Sequence, residues 1–350
     1  MENLKLNVAL LRKKVPNLTT AAKSVGLRPA TVSNLCTGKI PVGRCEVRTL
    51  AALAELAECS LDELIIRGEK IEMIETKIKT LDLFAPLAKG GTIGLVARHG
   101  MGQLVLLSEV FFRLKKDQYV TVLLMPEGNY PELNDVKINT DIIVHSIEEA
   151  YEAIAEKGKA NEIAFAADRS HVLTGDIYEL QEKLQAIDIN SVTTFLVDLK
   201  GEAVDEDLPY GPLETVWQFD ADLSARHKFP AVNPIYSTSS VLEGAHLDQN
   251  HLNIQQRAQK LLRRYRELRL LVNVGGIERL PAAETQTFAR GEKLEAYLTQ
   301  PFYVAEAFTG KQGEAVDLND TLNDIRKILD GAVDSIEAEK LNYIGQLMNK

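Results

Sequence analysis

The sequence predicts a mixed fold in three parts: an all-α head, an α/β core on a parallel sheet, and an α-helical C-terminal domain. Three observations predict it. Residues 1–50 hold nine Lys or Arg against two Asp or Glu, a net +7, within short helical stretches. From residue 90 to about 200, apolar runs of strand length alternate with stretches of helical period, as in a parallel sheet covered by helices. Beyond residue 249 the pattern is mostly helical. The expected parts are residues 1–68, 69–245 and 246–350, and a chain of 350 residues is long enough to give each a core.

The whole chain carries −10, so the residues after the head carry −17, and a basic head on an acidic body suggests an anionic partner. No apolar run approaches the roughly 18 residues of a membrane span, so no membrane insertion is expected. The start, MENLKLNVALLRKK, lacks the cleavage site of a secretory leader. Cys36, Cys45 and Cys59 show neither pairing nor metal spacing, and reduced thiols in a cytoplasmic protein are expected. His145, His171, His227, His246 and His251 show no metal spacing either, so no metal site is assigned.

In the head, Leu4 to Lys14 reads as a helix ending in cations that suit its dipole. Leu18 to Thr37 reads as two helices joined at Gly26, the second opened by Pro29. Val32 and Leu35 face the partner helix, leaving Arg28, Thr31, Ser33 and Asn34 outward. With GKIPV and the closing TLAALAELAECSLDELI, this stretch resembles the helix-turn-helix of the Cro and repressor family. The resemblance implies a helix in the DNA major groove, with Arg28, Thr31, Ser33 and Asn34 at bases or phosphates and Lys23 and Lys39 adding non-specific attraction. The competing reading is a basic helical adaptor.

In the core, Ile93–Val96, Tyr119–Met125, Ile142–Val144, Glu162–Ala166 and Val192–Val197 read as strands. Gln103–Lys116, Ile147–Lys157 and Asp176–Ala186 read as helices. The stretch GGTIGLVARHGMGQLVLLSE has the strand, turn and helix of a P-loop without its chemistry. Ala97 stands at the first Gly position, Gly102 keeps the second, Gln103 replaces the Lys and Leu104 the Ser or Thr. Arg98, Gly100, Gly102 and Gln103 are the candidates there, since an anion can still meet backbone N–H groups at a helix start.

KIKTLDLFAPLAKGGTIGL at 77–95, QRAQKLLRRYRELRLLV, YLTQPFYVAEAFTG and LNDIRKILDG together resemble the β subunit of rotary F-type ATP synthase. The resemblance implies that Asp198 is the Walker B carboxylate and that Phe229, Phe302 and Phe308 stack an adenine. It also exposes departures. MPEGNYPEL at 125–133 replaces the segment bearing the water-orienting Glu, with Glu127 aligned to a later Glu, and Ser240 replaces an Arg. IERLPAAE at 277–284 stands where the family contacts its rotor, and the head replaces the family's β-barrel.

Phosphoryl transfer depends on positioned charge, so no catalytic residue is assigned and useful hydrolysis is not expected. The first expectation is a DNA-binding transcriptional regulator whose degenerate module oligomerises or senses ATP or ADP, without Mg²⁺. The alternatives are a non-catalytic subunit or assembly factor of an F-type ATPase, and a weak residual ATPase with Arg98 in place of the Lys. DNA, further copies of the chain and F-type ATPase subunits are the corresponding partners.

Overall fold

The computed structural model describes residues 4–15, 18–36, 40, 42–67, 72–126, 128, 130–205, 210, 213–243 and 248–347. The chain divides into two compact units, one built on residues up to 71 and the other on residues from 72 onward.

The first unit is not all-α. Strand β1 (Leu4–Leu6) pairs antiparallel with β2 (Ile65–Arg67). Between them lie α1 (Val8–Lys14), α2 (Leu18–Ser24), α3 (Pro29–Cys36), α4 (Val47–Leu56) and α5 (Leu61–Leu64). The expected first helix loses its opening residues to the strand because Asn7 caps α1. Its Oδ1 accepts the Leu10 N–H at 3.0 Å, while its own N–H donates to the Leu64 carbonyl at 2.8 Å. That leaves Leu4–Leu6 outside the helix and free to pair with the end of the unit. Leu11, Ala22, Val32, Leu35, Leu53 and Leu64 form the core, and Gly26, at φ +74°, makes the turn between α2 and α3.

The second unit opens with β3 (Met73–Ile74), α6 (Lys79–Phe84) and β4 (Leu87–Ala88). The parallel system then runs β5 (Thr92–Val96), α7 (Gln103–Lys116), β6 (Val120–Leu124), α8 (Asn134–Ile138), β7 (Ile142–Val144) and α9 (Ile147–Lys157). It continues through β8 (Ile163–Asp168), α10 (Ser170–Leu173), α11 (Asp176–Gln185) and β9 (Val192–Val197). Two strands not expected from the sequence follow, β10 (Thr215–Gln218) and β11 (Thr238–Ser239), flanking α12 (Ala221–Ala225). The seven-stranded sheet has the order β11-β10-β5-β9-β8-β6-β7, parallel except for the antiparallel edge strand β11.

Side-chain alternation divides the strands between two cores. Ile93, Leu95, Phe195 and Trp217 pack beneath α7 with Leu107 and Phe111, while Val96, Leu196, Val122 and Phe165 pack on the opposite face with Ile154 and Leu180. The C-terminal helices are α13 (Gln249–Gly275), α14 (Thr285–Leu298), α15 (Glu306–Thr309) and α16 (Leu318–Asp330). Sheet and C-terminal helices fall in one compact unit. Leu83 and Phe84 of α6 sit in the core of α13, α14 and α16, which joins the two regions.

Candidate functional site

The centre of the sheet delivers the candidate loop. Strand β5 is buried to its end and continues into the buried Ala97, after which Arg98, His99 and Gly100 are exposed. The Arg98 N–H turns back to the Met101 sulfur at 3.2 Å. Gly100 and Gly102 have φ of +78° and +87°, a backbone conformation that glycine adopts without steric cost. Gly102 is the N-cap of α7 and supplies no side-chain acceptor to the first turn.

Beside this loop lies a cavity of about 650 Å³, inside the range of small-molecule sites. Gly100, Gly102, Phe229, Phe302 and Phe308 line it together, although two hundred residues separate its two sides. Phe229 lies against the loop, since a Cβ on Gly102 would come to 3.5 Å from its ring. The three phenylalanines differ in setting. Phe302 is 6% exposed and belongs to the core under α7, Phe229 is half-buried, and Phe308 is 95% exposed. Lys311, Tyr343 and Asp135 also line the cavity and were not singled out in the sequence.

The remaining loop candidates lie elsewhere. Arg98 and Gln103 are not among the lining residues; Arg98 is exposed and Gln103 is buried. Asp198 is buried at the end of β9, and its carboxylate accepts the Lys200 N–H at 3.0 Å and the Ala203 N–H at 2.5 Å. It therefore shapes the turn after β9. Leu104 puts no oxygen at the hydroxyl position, and each Asp198 oxygen accepts one main-chain N–H. Glu127 lies outside the described residues.

A network absent from the sequence reading supports the cavity. Glu109 and Arg113 form a buried pair on α7, Nε to Oε1 at 2.7 Å. Arg113 also donates to the carbonyls of Lys77 (2.9 Å) and Glu314 (2.7 Å), and Glu109 accepts the Val304 N–H at 3.0 Å. Gln300 accepts from Lys79 N–H at 3.0 Å and donates to the Lys77 and Glu314 carbonyls at 2.8 and 2.7 Å. On α6, Lys79 Nζ donates to the Tyr297 and Ile344 carbonyls at 2.5 and 2.8 Å, and burial lowers its pKa to about 7. Burial raises Asp82 to about 7, against the pull of the Thr76 hydroxyl and the N–H groups of Thr76 and Lys77. The signal available was a pair of opposite charges at i,i+4 inside the apolar helix LVLLSEVFFRL, which solvent alone cannot explain.

In the head, Lys23, Arg28 and Ser33 are exposed and Thr31 and Asn34 half-buried; Lys39 lies outside the described residues. Among the described residues no helix is long and apolar enough to cross a membrane, and no group of three or more His, Cys, Asp or Glu could hold a metal ion.

Residues 242–340 match the family model of the C-terminal domain of V and A type ATP synthase. Among solved structures, the ATP synthase subunit NeqB of Nanoarcheaum equitans is similar at a TM-score of 0.57 and 15% identity. The match covers 76% of this chain and 80% of that one, and at this identity it shows a shared fold. The C-terminal match is thus to the V and A type, where the sequence pointed to the F-type β subunit. These findings overturn the reading of the chain as a DNA-binding transcriptional regulator, because both lie on ATP synthase and neither supports a Cro-type head. The physical reason is that a basic helix pair with outward polar residues is also the ordinary appearance of a solvated surface.

Proposed function

We propose that the chain is a non-catalytic subunit of an ATP synthase assembly of the V and A type, holding ATP or ADP in its aromatic cavity without Mg²⁺. The observation that carries this reading is a C-terminal region of that family joined to a sheet whose phosphate loop has Gln103 and Leu104 in place of its Lys and hydroxyl. The base stacks among Phe229, Phe302 and Phe308, and the phosphates extend toward Gly100 and Gly102. There the start of α7 offers N–H groups and the positive end of its dipole.

With Gln103 and Leu104 in place of the Lys and the metal-binding hydroxyl, and with Arg98 outside the cavity lining, the cavity lacks the positioned positive charge that phosphoryl transfer requires. Binding in such a site holds an interface or reports nucleotide level.

The test is purification of the tagged full-length chain from its native cells, followed by identification of what elutes with it. Catalytic ATP synthase subunits at a fixed ratio are expected. A chain that elutes alone or only with copies of itself overturns the subunit reading.

A further inference from the structure

Near its end the chain forms a strap between two apolar anchors, Leu341 and Leu347, both buried in the core of the C-terminal helices. Between the anchors, Asn342 to Gly345 are half-buried and Gln346 is exposed. Ile344 touches that core, and a set of polar contacts completes the hold. Asn342 Oδ1 accepts from Lys228 Nζ, the Ile344 carbonyl accepts from Lys79 Nζ at 2.8 Å, and Lys311 Nζ stands 4.3 Å from the Tyr343 ring centroid. The Tyr343 N–H donates to Thr299 Oγ1 and the Leu347 N–H to Asp324 Oδ2, each at 2.7 Å. Segments with few buried apolar contacts belong to the low-stability end of a structure and open locally.

Tyr343 reaches from this strap to the turn at 227–229. Its hydroxyl donates to the His227 carbonyl and accepts the Phe229 N–H at 3.2 Å. Tyr343 and His227 have φ of +55° and +54°, a region that residues other than glycine enter at a cost. Such a conformation persists only where its surroundings over-determine it, and here the two costly residues are bonded to each other. Letting go of one leaves the other free to relax. Phe229 and Tyr343 both line the cavity, so the seated strap sets two residues of its wall.

We propose that residues 342–347 form a latch with two positions. Seated, it fixes the 227–229 turn and two residues of the cavity wall; unseated, it releases turn and wall together. The latch works in the same way whatever the cavity holds. A Cβ on Gly102 would come to 3.5 Å from the Phe229 ring, so the loop before α7 feels which position the latch is in.

Residue-resolved amide hydrogen exchange of the full-length chain tests this. The reporters are the Lys228 N–H, which donates to the Leu223 carbonyl at 2.8 Å, and the Leu347 N–H. Neither bonds to Tyr343. Tyr343→Phe keeps the ring and removes the hydroxyl, and it is expected to speed both reporters about tenfold, the cost of one hydrogen bond, while Ile325 in α16 keeps its rate. Adding His227→Gly, which takes the same φ freely, is expected to return Lys228 to within about threefold of the parent and to leave Leu347 fast. Faster exchange at only one reporter, or at neither, overturns the latch. So does a rise that Ile325 shares, since the opening is then that of the whole unit, and so does a Lys228 amide that stays fast in the double variant.

Discussion

Arg113 lies one helical turn from Glu109 on α7, and its guanidinium closes on that carboxylate at 2.7 Å in a part of the core that solvent does not reach. Each partner also holds main chain from elsewhere: Arg113 takes Lys77 and Glu314, and Glu109 takes Val304. Arg113→Met leaves a carboxylate buried without its cation and is expected to cost about 3–5 kcal/mol of unfolding free energy. Adding Glu109→Gln should recover part of that loss. Urea titrations of both variants check this, and a double variant less stable than the single one would count against the pairing.

Lys79 and Asp82 give stability a pH dependence of unusual shape. Between about 7 and its ordinary value of 10.5, Lys79 carries a proton in the unfolded chain that it lacks when folded. Stability from this group therefore rises with pH across that window. Asp82 behaves oppositely. Between 3.8 and about 7 the folded chain holds the extra proton, so its contribution falls as pH rises. The two produce a minimum near neutrality, with limbs approaching about 1.4 kcal/mol per pH unit. Urea midpoints from pH 4 to 10 check it: Asp82→Asn should flatten the acid limb and Lys79→Met the alkaline one.

Phe302 and Phe308 should separate stability from binding. Phe302→Ala empties a buried core position and is expected to cost about 3–5 kcal/mol. Phe308→Ala changes an exposed side chain, so its stability should stay within about 0.5 kcal/mol of the parent. If Phe308 stacks a base, its loss weakens ADP binding by about 1–3 kcal/mol. Thermal unfolding together with calorimetry distinguishes these cases, and unchanged ADP affinity in Phe308→Ala removes it from the site.

Restoring Lys and Thr at positions 103 and 104 supplies only part of the missing chemistry. The Gln103→Lys, Leu104→Thr variant is expected to bind ATP more tightly when Mg²⁺ is present. Its phosphate release should remain at background, because the Asp198 carboxylate is held by Lys200 and Ala203. Turnover that appears with the double substitution would mean that loop chemistry alone limits the site.

The sequence was most legible where periodicity and punctuation agreed. Helix α7 falls at Gln103–Lys116 as expected, because an apolar run, a glycine turn and a 3.6-residue pattern meet there. Strand β10 was missed because TVWQ is four residues long and alternates like any half-polar segment, so only its pairing with β5 identifies it. The β1–β2 ribbon joins residues some sixty positions apart, which no local pattern reports. The cavity was half legible. Its phenylalanines came with the family resemblance, whereas Lys311 and Tyr343 reach it only through folding. The head misled because charge and outward polarity describe a surface without naming its partner.

Gln300 bonds three main-chain groups on two segments, residues 77–79 and Glu314, with a single amide, and Arg113 holds the Lys77 and Glu314 carbonyls as well while its partner Glu109 holds Val304. The cavity wall is therefore fastened to the middle of the unit. Amide hydrogens at Lys79 and Val304 should be among the last to exchange with deuterated solvent, emerging only when the whole unit opens. A pull on the C-terminal helices would then move the wall and the start of α7 as one piece.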